Sequence, residues 1–419
     1  MVAQPMPTAA SNAAYAARIE FIVALAAQLH LYGTTAQRLE GAIEAVARRL
    51  GLDCQPMSNP AGLILSFSDP QRPPGDSDIT RVIRLPPGET SLYKLCEADR
   101  IVELVLAGQL DLAAGHAALR ALERPADWRA NLQQVAGFGA AAASVAGLLR
   151  LPWLDIATAA VIGTLVGLLV IASRGRPHMA EADDAIAGIL AGGLAALVAT
   201  FVAPLNLNTV VIASMIVLMP GMALTNAFSE LTSQHLISGT ARMFGALATL
   251  LKLTVGTMIA LIALEMVGLE PQVRAWRPQP HWVEWCAVVT ASWAFAALFR
   301  AGRRDTLLVM AAAIAGYTIS RLGGQWLGSP IGVFLSALVI TVAGNGYARW
   351  MNRPGALIRV PGIIMLVPGS TSLRTVLVAV QQQDVVAGQQ AAMTVLNVLL
   401  ALIAGLLMGN LLLPARRSL

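Results

Sequence analysis

Ile216-Val217-Leu218-Met219-Pro220-Gly221 is an apolar stretch interrupted by a Pro-Gly pair, and it recurs as Ile364-Met365-Leu366-Val367-Pro368-Gly369, 148 positions later (368 minus 220). Proline removes a backbone donor and clashes with the preceding turn, so a helix is broken there. At membrane depth the freed carbonyls must be satisfied by a solute, water or another helix, because lipid cannot do so. Breaks at matching places in two halves of a chain are typical of a transport site.

The composition divides the 419 residues into two parts with different surroundings. Hydrophobic residues make up 56% of the chain and charged residues 13%, which is outside the usual range of globular proteins. Residues 1–130 carry 12 Lys/Arg and 14 Asp/Glu, whereas residues 131–419 carry 17 and 10. The basic excess therefore lies in short loops of a membrane part, which indicates topology rather than binding to nucleic acid.

Residues 1–130 are predicted to form a small α+β cytosolic domain and linker. Apolar periodicity and turn residues predict helices at 16–31, 35–50, 91–107 and 112–122, the first of them amphipathic, and strands at 63–67 and 79–84. Cys54, Cys96 and Cys286 are scattered without metal-ligand spacing. No cleavable signal peptide is expected, since the first 17 residues lack a basic region followed by an apolar core.

From residue 131 onward, about ten apolar segments have the length of roughly 20 residues that a bilayer demands. Arginines concentrate in alternate loops, which predicts cytoplasmic N- and C-termini. The loops predicted to be cytoplasmic include Arg174, Arg242, Arg300, Arg353 and Arg359, among others. The expected fold class is therefore a membrane all-α protein of ten transmembrane helices, preceded by the small α+β domain.

The repeat extends beyond the Pro-Gly pairs. Arg150 and Asp155 match Arg300 and Asp305 at an offset of 150. Nearly constant offsets indicate two homologous five-helix repeats, at 131–270 and 271–419. Because five is odd, the second repeat enters the membrane from the opposite side, which predicts an inverted-topology repeat with alternating access around a midplane site. A chance alignment of glycine-rich segments is the alternative.

Catalytic motifs are not found in the sequence. It contains no Walker phosphate loop, HExxH pair, GxSxG elbow or His/Cys cluster, so neither ATP hydrolysis nor a metal or other cofactor is predicted. We expect a protein that is not an enzyme and that draws on an ion gradient.

Polar residues deep in apolar segments are the candidate substrate site, because they normally face a bundle interior or a cavity. A helix that begins after each break can bind a carboxylate at its N-terminus, and an arginine can clamp it. The candidates are Pro220, Gly221, Thr225, Asn226, Lys252, Asn345, Pro368, Gly369, Ser370, Thr371 and Arg374. Simple kinks at the prolines, a snorkelling Arg374, an ion pair at Lys252 and an interhelical hydrogen bond at Asn345 remain the structural alternatives.

A proton carrier needs an ionisable group that both sides of the membrane can reach. Glu230, Asp155 and Asp305 are the candidates for proton coupling, with Glu265 as a further one. All lie near predicted segment ends, so a cap or anchor at the interface is the alternative for each.

The chain resembles the threonine/serine exporter family in three regions. The first contains His30-Leu31-Tyr32-Gly33-Thr34-Thr35-Ala36-Gln37-Arg38-Leu39-Glu40, followed by Ala61–Phe67. The others are Met219–Asn226 and Arg353–Ser370. The resemblance implies export of small hydrophilic amino acids across the inner membrane, driven by the proton motive force. Similar proteins split into two subunits imply export of dicarboxylates, succinate in particular.

The preferred hypothesis is secondary active export of threonine or serine through the lipid bilayer, with protons as the coupled ion and a homo-oligomer left open. A dicarboxylate exporter is the alternative within transport, because Arg374 and Lys252 suit two carboxylates. A membrane-anchored enzyme or receptor that acts through the N-terminal domain is the alternative from another class.

Overall fold

The computed structural model describes residues 9–72, 78–124, 127–274, 278–367 and 385–414, together with positions 369, 373 and 377. The described part of the chain is mostly helical, with one small sheet near its N-terminus. This agrees with the expected combination of an α+β domain and a helical part.

Four helices and three strands form the N-terminal domain. They are α1 (Ala9–Leu31), α2 (Ala36–Arg49), β1 (Asp53–Asn59), β2 (Gly62–Ser68), β3 (Ile79–Arg84), α3 (Leu92–Leu106) and α4 (Leu112–Ala121). The sheet is antiparallel in the order β1-β2-β3. The four predicted helices and two strands are confirmed, whereas β1 was missed. Pro56 argues against a strand in the sequence, but an edge strand tolerates it.

Helix α1 is buried on more sides than an amphipathic helix would be, so the amphipathic prediction is wrong. Ile19, Phe21, Ile22 and Leu25 are all buried in one core with residues of α2, β2 and α3. Gln28, expected on the polar face, is also buried and donates to Oε1 of Glu123 over 2.7 Å. A helix surrounded by protein is apolar all round.

Eleven further helices are described after the linker. They are α5 (Trp128–Leu148), α6 (Trp153–Ser173), α7 (Pro177–Phe201), α8 (Leu207–Ser214), α9 (Gly221–Thr232), α10 (Leu236–Met266), α11 (His281–Leu298), α12 (Thr306–Leu327), α13 (Ser329–Met351), α14 (Ala356–Ile364) and α15 (Val385–Leu412). Seven helices of the described chain are long and apolar enough to cross a membrane, and one of these is α1. The other six are α6, α7, α10, α12, α13 and α15, so the expected ten is not reached by this criterion.

Part of the shortfall arises where the chain is broken; the unbroken helices α5 and α11 are also not among the seven. Helices α8, α9 and α14 have 8, 12 and 9 residues, because they flank the two Pro-Gly segments. Each is shorter than the roughly 20 residues that a single crossing needs. The first break thus lies between two short helices, α8 and α9. The second break follows the short helix α14.

Loops alternate between two ends of the helical part. One end carries the N-terminal domain, since the backbone N–H of Leu92 donates to Phe299 and that of Ala36 donates to Glu230. At the other end, the loops that follow α5, α7 and α10 contact one another. Gln279 is hydrogen-bonded to Arg150, Asn206 is hydrogen-bonded to Asp155, and Leu205 forms a β-bridge with Val273. The loops after α5, α7 and α10 therefore lie at the end opposite the N-terminal domain.

Tryptophans on the outside of the helical part lie near helix ends. Trp153 and Trp282 are exposed, with ring centroids 5.9 Å apart at the end opposite the N-terminal domain. Trp128 and Trp350 are exposed at the ends of α5 and α13. Exposed indoles in this position are typical of membrane interfaces.

Close helix packing repeats between the two halves. An added Cβ on Gly256 would overlap the carbonyl oxygen of Ala185, where α10 crosses α7. An added Cβ on Gly405 would overlap the carbonyl oxygen of Phe334, where α15 crosses α13. Both members of the second pair lie 149 positions after those of the first (405 minus 256, 334 minus 185). Gly256 and Gly405 therefore lie at equivalent helix crossings.

The helix connections also correspond. Arg150 follows α5 and Arg300 follows α11, and both are left-handed, with φ of 55° and 50°. Few non-glycine residues adopt such angles, so the coincidence at matched positions is informative. Asp155 then lies in the first turn of α6, and Asp305 directly precedes α12.

Candidate functional site

The two Pro-Gly breaks lie against each other. The backbone N–H of Gly221 donates to Met219 over 2.8 Å, and that of Gly369 donates to Val367 over 2.9 Å, which is the same tight turn in each half. A methyl group on Gly221 would overlap the side chain of Val367 and lie 3.1 Å from Cα of Gly369. Only glycine permits this approach, so the duplicated motif forms a contact between the two halves.

Part of the predicted site falls outside the described residues. These positions are Pro368, Ser370, Thr371 and Arg374. Of the predicted residues after the second break, the structure thus places only Gly369.

A cavity of about 130 Å³ lies between the N-terminal domain and the helices α9, α14 and α15. An apolar cavity of about 150 Å³ accommodates a benzene-sized ligand, so this volume suits a small solute. The predicted residues Thr225 and Asn226 line it, whereas Pro220 and Gly221 do not. The cavity thus begins at Met222, directly after the first break, and the Pro-Gly pair itself is not part of its lining. Its polar lining residues are Tyr32, Thr34, Thr35, Gln37, Arg38, Thr90, Thr225, Asn226, Ser229, Arg359 and Asn410.

Arg359 on α14 is the most deeply buried cation of this lining. It is 4% exposed, and its Nη1 donates to Oδ1 of Asn345 over 3.2 Å. Its Nε has no hydrogen-bond partner among the described residues, nor does any carboxylate there pair with it. Arg359 was expected in a loop, which is wrong, because α14 continues through it into the apolar run Val360–Ile364.

Asn345 holds the neighbourhood of Arg359 together. Its Nδ2 donates to Oδ1 of Asn410 over 3.0 Å and to the carbonyl oxygen of Leu413 over 2.7 Å. This is the interhelical hydrogen bond, between α13 and α15, that was the structural alternative at Asn345; Asn345 does not line the cavity, and its predicted contact with substrate stays a prediction. Because the same amide accepts from Arg359, Asn345 also orients the guanidinium at the cavity.

Unsatisfied polar atoms are concentrated at this cavity. Five buried side-chain atoms in the described residues have no hydrogen-bond partner, and three of these belong to lining residues: Oγ1 of Thr34, Oγ1 of Thr225 and Nε of Arg359. Thr225 is 2% exposed. Leaving a buried donor or acceptor unpaired costs about 1–3 kcal/mol, so these atoms favour binding of water or of a polar solute in the cavity.

Arg38 on α2 adds a second guanidinium. No hydrogen bond or ion pair joins this guanidinium to any residue in the described ranges. Burial lowers the pKa of Arg38 to about 10, so the group remains charged at neutral pH. With Arg359, the cavity has two cations and, among its described lining residues, no Asp or Glu.

Lys252 does not line the cavity. Its Nζ lies 2.7 Å from Oδ2 of Asp184 on α7, and its side chain is 40% exposed. The expectation that it faces the interior is therefore wrong, since Asp184 draws it to the α7–α10 surface. The geometry is that of the ion pair considered as the structural alternative.

Glu230 is buried and fully bonded. Its carboxylate accepts from Nε of Arg242 over 3.0 Å, from Oγ of Ser238 over 2.7 Å and from the backbone N–H of Ala36 over 3.0 Å. The last of these bonds satisfies an N–H at the start of α2. Glu230 thus joins the N-terminal domain to α9 and α10.

Asp155 and Asp305 occupy matched positions with unlike partners. Oδ2 of Asp155 accepts from the backbone N–H and Nδ2 of Asn206 over 3.1 and 2.6 Å, and its Oδ1 has no partner in the described chain. Asp305 instead forms a double hydrogen bond with Arg353, over 2.6 and 2.8 Å. Asp155 thus joins α6 to Asn206 at the start of α8. In the same way, Asp305 joins the start of α12 to Arg353, which lies before α14.

Comparison with protein families covers most of the chain. A threonine/serine exporter model matches residues 20–264, more than half of the 419. A second, described as "Threonine/Serine exporter, ThrE", matches residues 284–412. The chain belongs to the threonine/serine exporter family. The resemblance seen at His30–Glu40 and at both Pro-Gly segments is thereby confirmed.

Curated relatives of this exporter-family protein are fungal membrane proteins. It is 23% identical to "Pheromone-regulated membrane protein 10" of Yarrowia lipolytica over 86% of its own length and 30% of the relative's. The protein of that name in Zygosaccharomyces rouxii is 22% identical, with 86% and 37% covered, and that in Eremothecium gossypii is 22% identical, with 88% and 50% covered. The chain thus spans between about a third and half of these relatives. No solved structure matches it.

The exporter-family protein is a multi-pass membrane protein, as its relatives and its apolar helices show. Sequence reasoning missed Arg38, Arg359 and Asn410 as lining residues. A charged residue inside the apolar run Ala356–Ile364 is a signal that could have identified Arg359. No comparable signal exists for Arg38, which lies on an ordinary amphipathic helix of the N-terminal domain.

Proposed function

We propose that this chain exports a small carboxylate-bearing solute, threonine or serine, from the cytoplasm across the inner membrane. The observation that carries the proposal is the cavity in which Arg359 and Thr225 keep buried polar atoms without partners. A solute carboxylate would complete the hydrogen bonds of Arg359, as charge-assisted pairs do in buried sites. The reaction is movement across the bilayer and changes no covalent bond.

The remaining lining groups suit the rest of an amino acid. The hydroxyls of Thr225 and Ser229 and the amides of Asn226 and Asn410 can accept from an ammonium group and bond a side-chain hydroxyl. The predicted contacts at Pro220, Gly221 and Gly369 are reassigned to the crossing of the two halves. Substrate contacts by Lys252, Pro368, Ser370, Thr371 and Arg374 stay predictions.

Alternating access would arise from two inverted five-helix halves. Support comes from the matched crossings of Gly256 and Gly405 and from the equal turns at the two breaks. We propose that the contact of Gly221 with Val367 and Gly369 is the point about which the halves exchange conformations. The cytoplasmic location of the N-terminal domain is part of the same proposal.

Asp155 is the proposed proton carrier. Of the three candidates, Glu230 pairs with Arg242 and Asp305 with Arg353, so their charges are already compensated. Asp155 is fully buried, has no cation partner in the described chain, and keeps one oxygen without a donor. That oxygen can take up a proton without breaking the bonds to Asn206.

Asp155→Asn is expected to abolish solute efflux driven by a pH gradient while exchange of labelled for unlabelled solute continues, because the amide cannot take up a proton. Both rates are measured with purified protein in proteoliposomes. The matched control is Glu270→Gln in the exposed segment after α10, which should leave both rates unchanged. Gradient-driven efflux at the wild-type rate in Asp155→Asn would contradict the assignment.

A dicarboxylate exporter is the second candidate function, and one observation favours it. The described cavity lining carries two guanidinium groups, on Arg38 and Arg359, and no acidic side chain to receive an ammonium. A dianion such as succinate would compensate both charges.

Flux of labelled solutes separates the two functions. Purified full-length protein is placed in proteoliposomes loaded with threonine, serine or succinate, and a pH gradient is imposed. Efflux of threonine and serine above that of protein-free vesicles is expected. Efflux of succinate alone would overturn the amino-acid proposal in favour of the second candidate.

A further inference from the structure

One wall of the cavity belongs to the N-terminal domain. The segment Tyr32–Arg38, which connects α1 to α2 and begins α2, supplies six of its lining residues. Gly33 has a φ of +76°, so the chain turns sharply there and brings Thr34 and Thr35 to the cavity. The other walls are formed by α9, α14 and α15.

The domain is held in this position by bonds on both sides of the segment. The backbone N–H of Ala36 donates to Glu230, and Glu40 lies 3.0 Å from Nε2 of His235. The apolar core of the domain also continues into Ala356 and Leu357 of α14. The wall is thus docked through α9, α10 and α14 and is not a loosely tethered module.

Arg38 has no counter-charge in this wall. It is half-buried at the cavity, and the described residues offer it neither a carboxylate nor a hydrogen-bond acceptor. Bringing an unpaired guanidinium out of water is unfavourable unless an anion compensates it. Arg48 and Arg18 in the same domain, by contrast, pair with Glu44 and Asp69.

Neighbouring groups would help to bind the same anion. Oγ1 of Thr34 is buried without a partner in the described chain, and Thr34 lines the same cavity as Arg38. A hydroxyl can donate to a carboxylate oxygen, so Thr34 and Arg38 can both contribute to binding an anion in the cavity that Arg359 also lines.

We propose that Arg38 of the N-terminal domain is a substrate-binding residue that contacts a carboxylate of the transported solute, so that the domain is part of the transport site. This inference rests on the proposed function. It assigns the domain a direct role in solute binding, in addition to any regulatory or docking role. A dicarboxylate would use Arg38 for its second carboxylate, and an amino acid would share one carboxylate between Arg38 and Arg359.

The test compares Arg38→Gln with Arg49→Gln at the exposed, opposite end of the same helix. Binding of labelled threonine, serine and succinate to purified full-length protein is measured at equilibrium, and KM and kcat are measured in proteoliposomes. Arg38→Gln is expected to raise Kd and KM roughly tenfold or more, because a charge-assisted hydrogen bond is lost. Arg38→Lys should recover part of the affinity, and Arg49→Gln should match the wild type.

The outcomes separate this inference from the function on which it rests. Wild-type Kd and KM in Arg38→Gln, with transport intact, overturn the role of Arg38 and leave the proposed function standing. An equal loss in Arg49→Gln, or a lower Tm of Arg38→Gln without ligand, shows a structural effect and also overturns it. A wild-type protein that binds and carries none of the three solutes overturns both proposals.

Discussion

Arg359→Gln is expected to abolish solute export while leaving the amount and stability of folded protein unchanged. Arg359 is buried and offers its Nε to the cavity without a partner, so its charge is available to the substrate carboxylate. Truncating one member of a buried, hydrogen-bonded charge pair costs about 2 kcal/mol or more. That loss corresponds to roughly 30-fold weaker binding or more. Flux in proteoliposomes and equilibrium binding measure the two effects.

The unchanged stability is what distinguishes this arginine from a structural one. An ion-paired buried arginine leaves an uncompensated charge behind when it is replaced, and the protein is destabilised. In the described residues no carboxylate pairs with Arg359, so its replacement leaves none behind. Arg349→Gln, at the exposed end of α13 where Arg349 donates to Pro414, is the matched control and should transport normally. Export at the wild-type rate by Arg359→Gln would refute the site.

Gly221→Ala is expected to reduce transport at least tenfold and to destabilise the protein. The new methyl group would overlap the side chain of Val367 and press on Gly369, at the contact between the two breaks. Overpacking of this kind costs about 1–3 kcal/mol. Because both breaks share the contact, its distortion should also hinder exchange between conformations. Thermal unfolding and flux are the measurements.

Gly245→Ala is the matched control, because an added Cβ at Gly245 on α10 meets nothing within 4 Å. There the same substitution should stabilise the helix by up to about 1 kcal/mol, since glycine is a poor helix former. Val367→Ala added to Gly221→Ala removes the overlapping methyl groups and should restore part of the lost activity. Equal effects of Gly221→Ala and Gly245→Ala would show that the crossing has no special role.

Local sequence signals predicted the elements well. The helices of the N-terminal domain, the long apolar helices and the breaks at Pro220-Gly221 and before Gly369 follow from periodicity and from the chemistry of proline and glycine. The strand β1 was missed because Pro56 is a breaker in general but is tolerated at a sheet edge. The partners of Lys252 and Glu230 could not be predicted, since they lie on other helices.

The sequence by itself determined that a Pro-Gly pair in an apolar stretch recurs 148 positions later and that apolar segments of membrane length follow a more polar domain. Each of these features depends on neighbouring residues or on a constant spacing between residues, and both can be seen directly in the sequence. Only the tertiary structure decided which groups meet. Arg38 and Arg359 are 321 positions apart (359 minus 38) and line one cavity because the N-terminal domain docks on α9, α10 and α14. Packing between distant segments, and not local propensity, created that site.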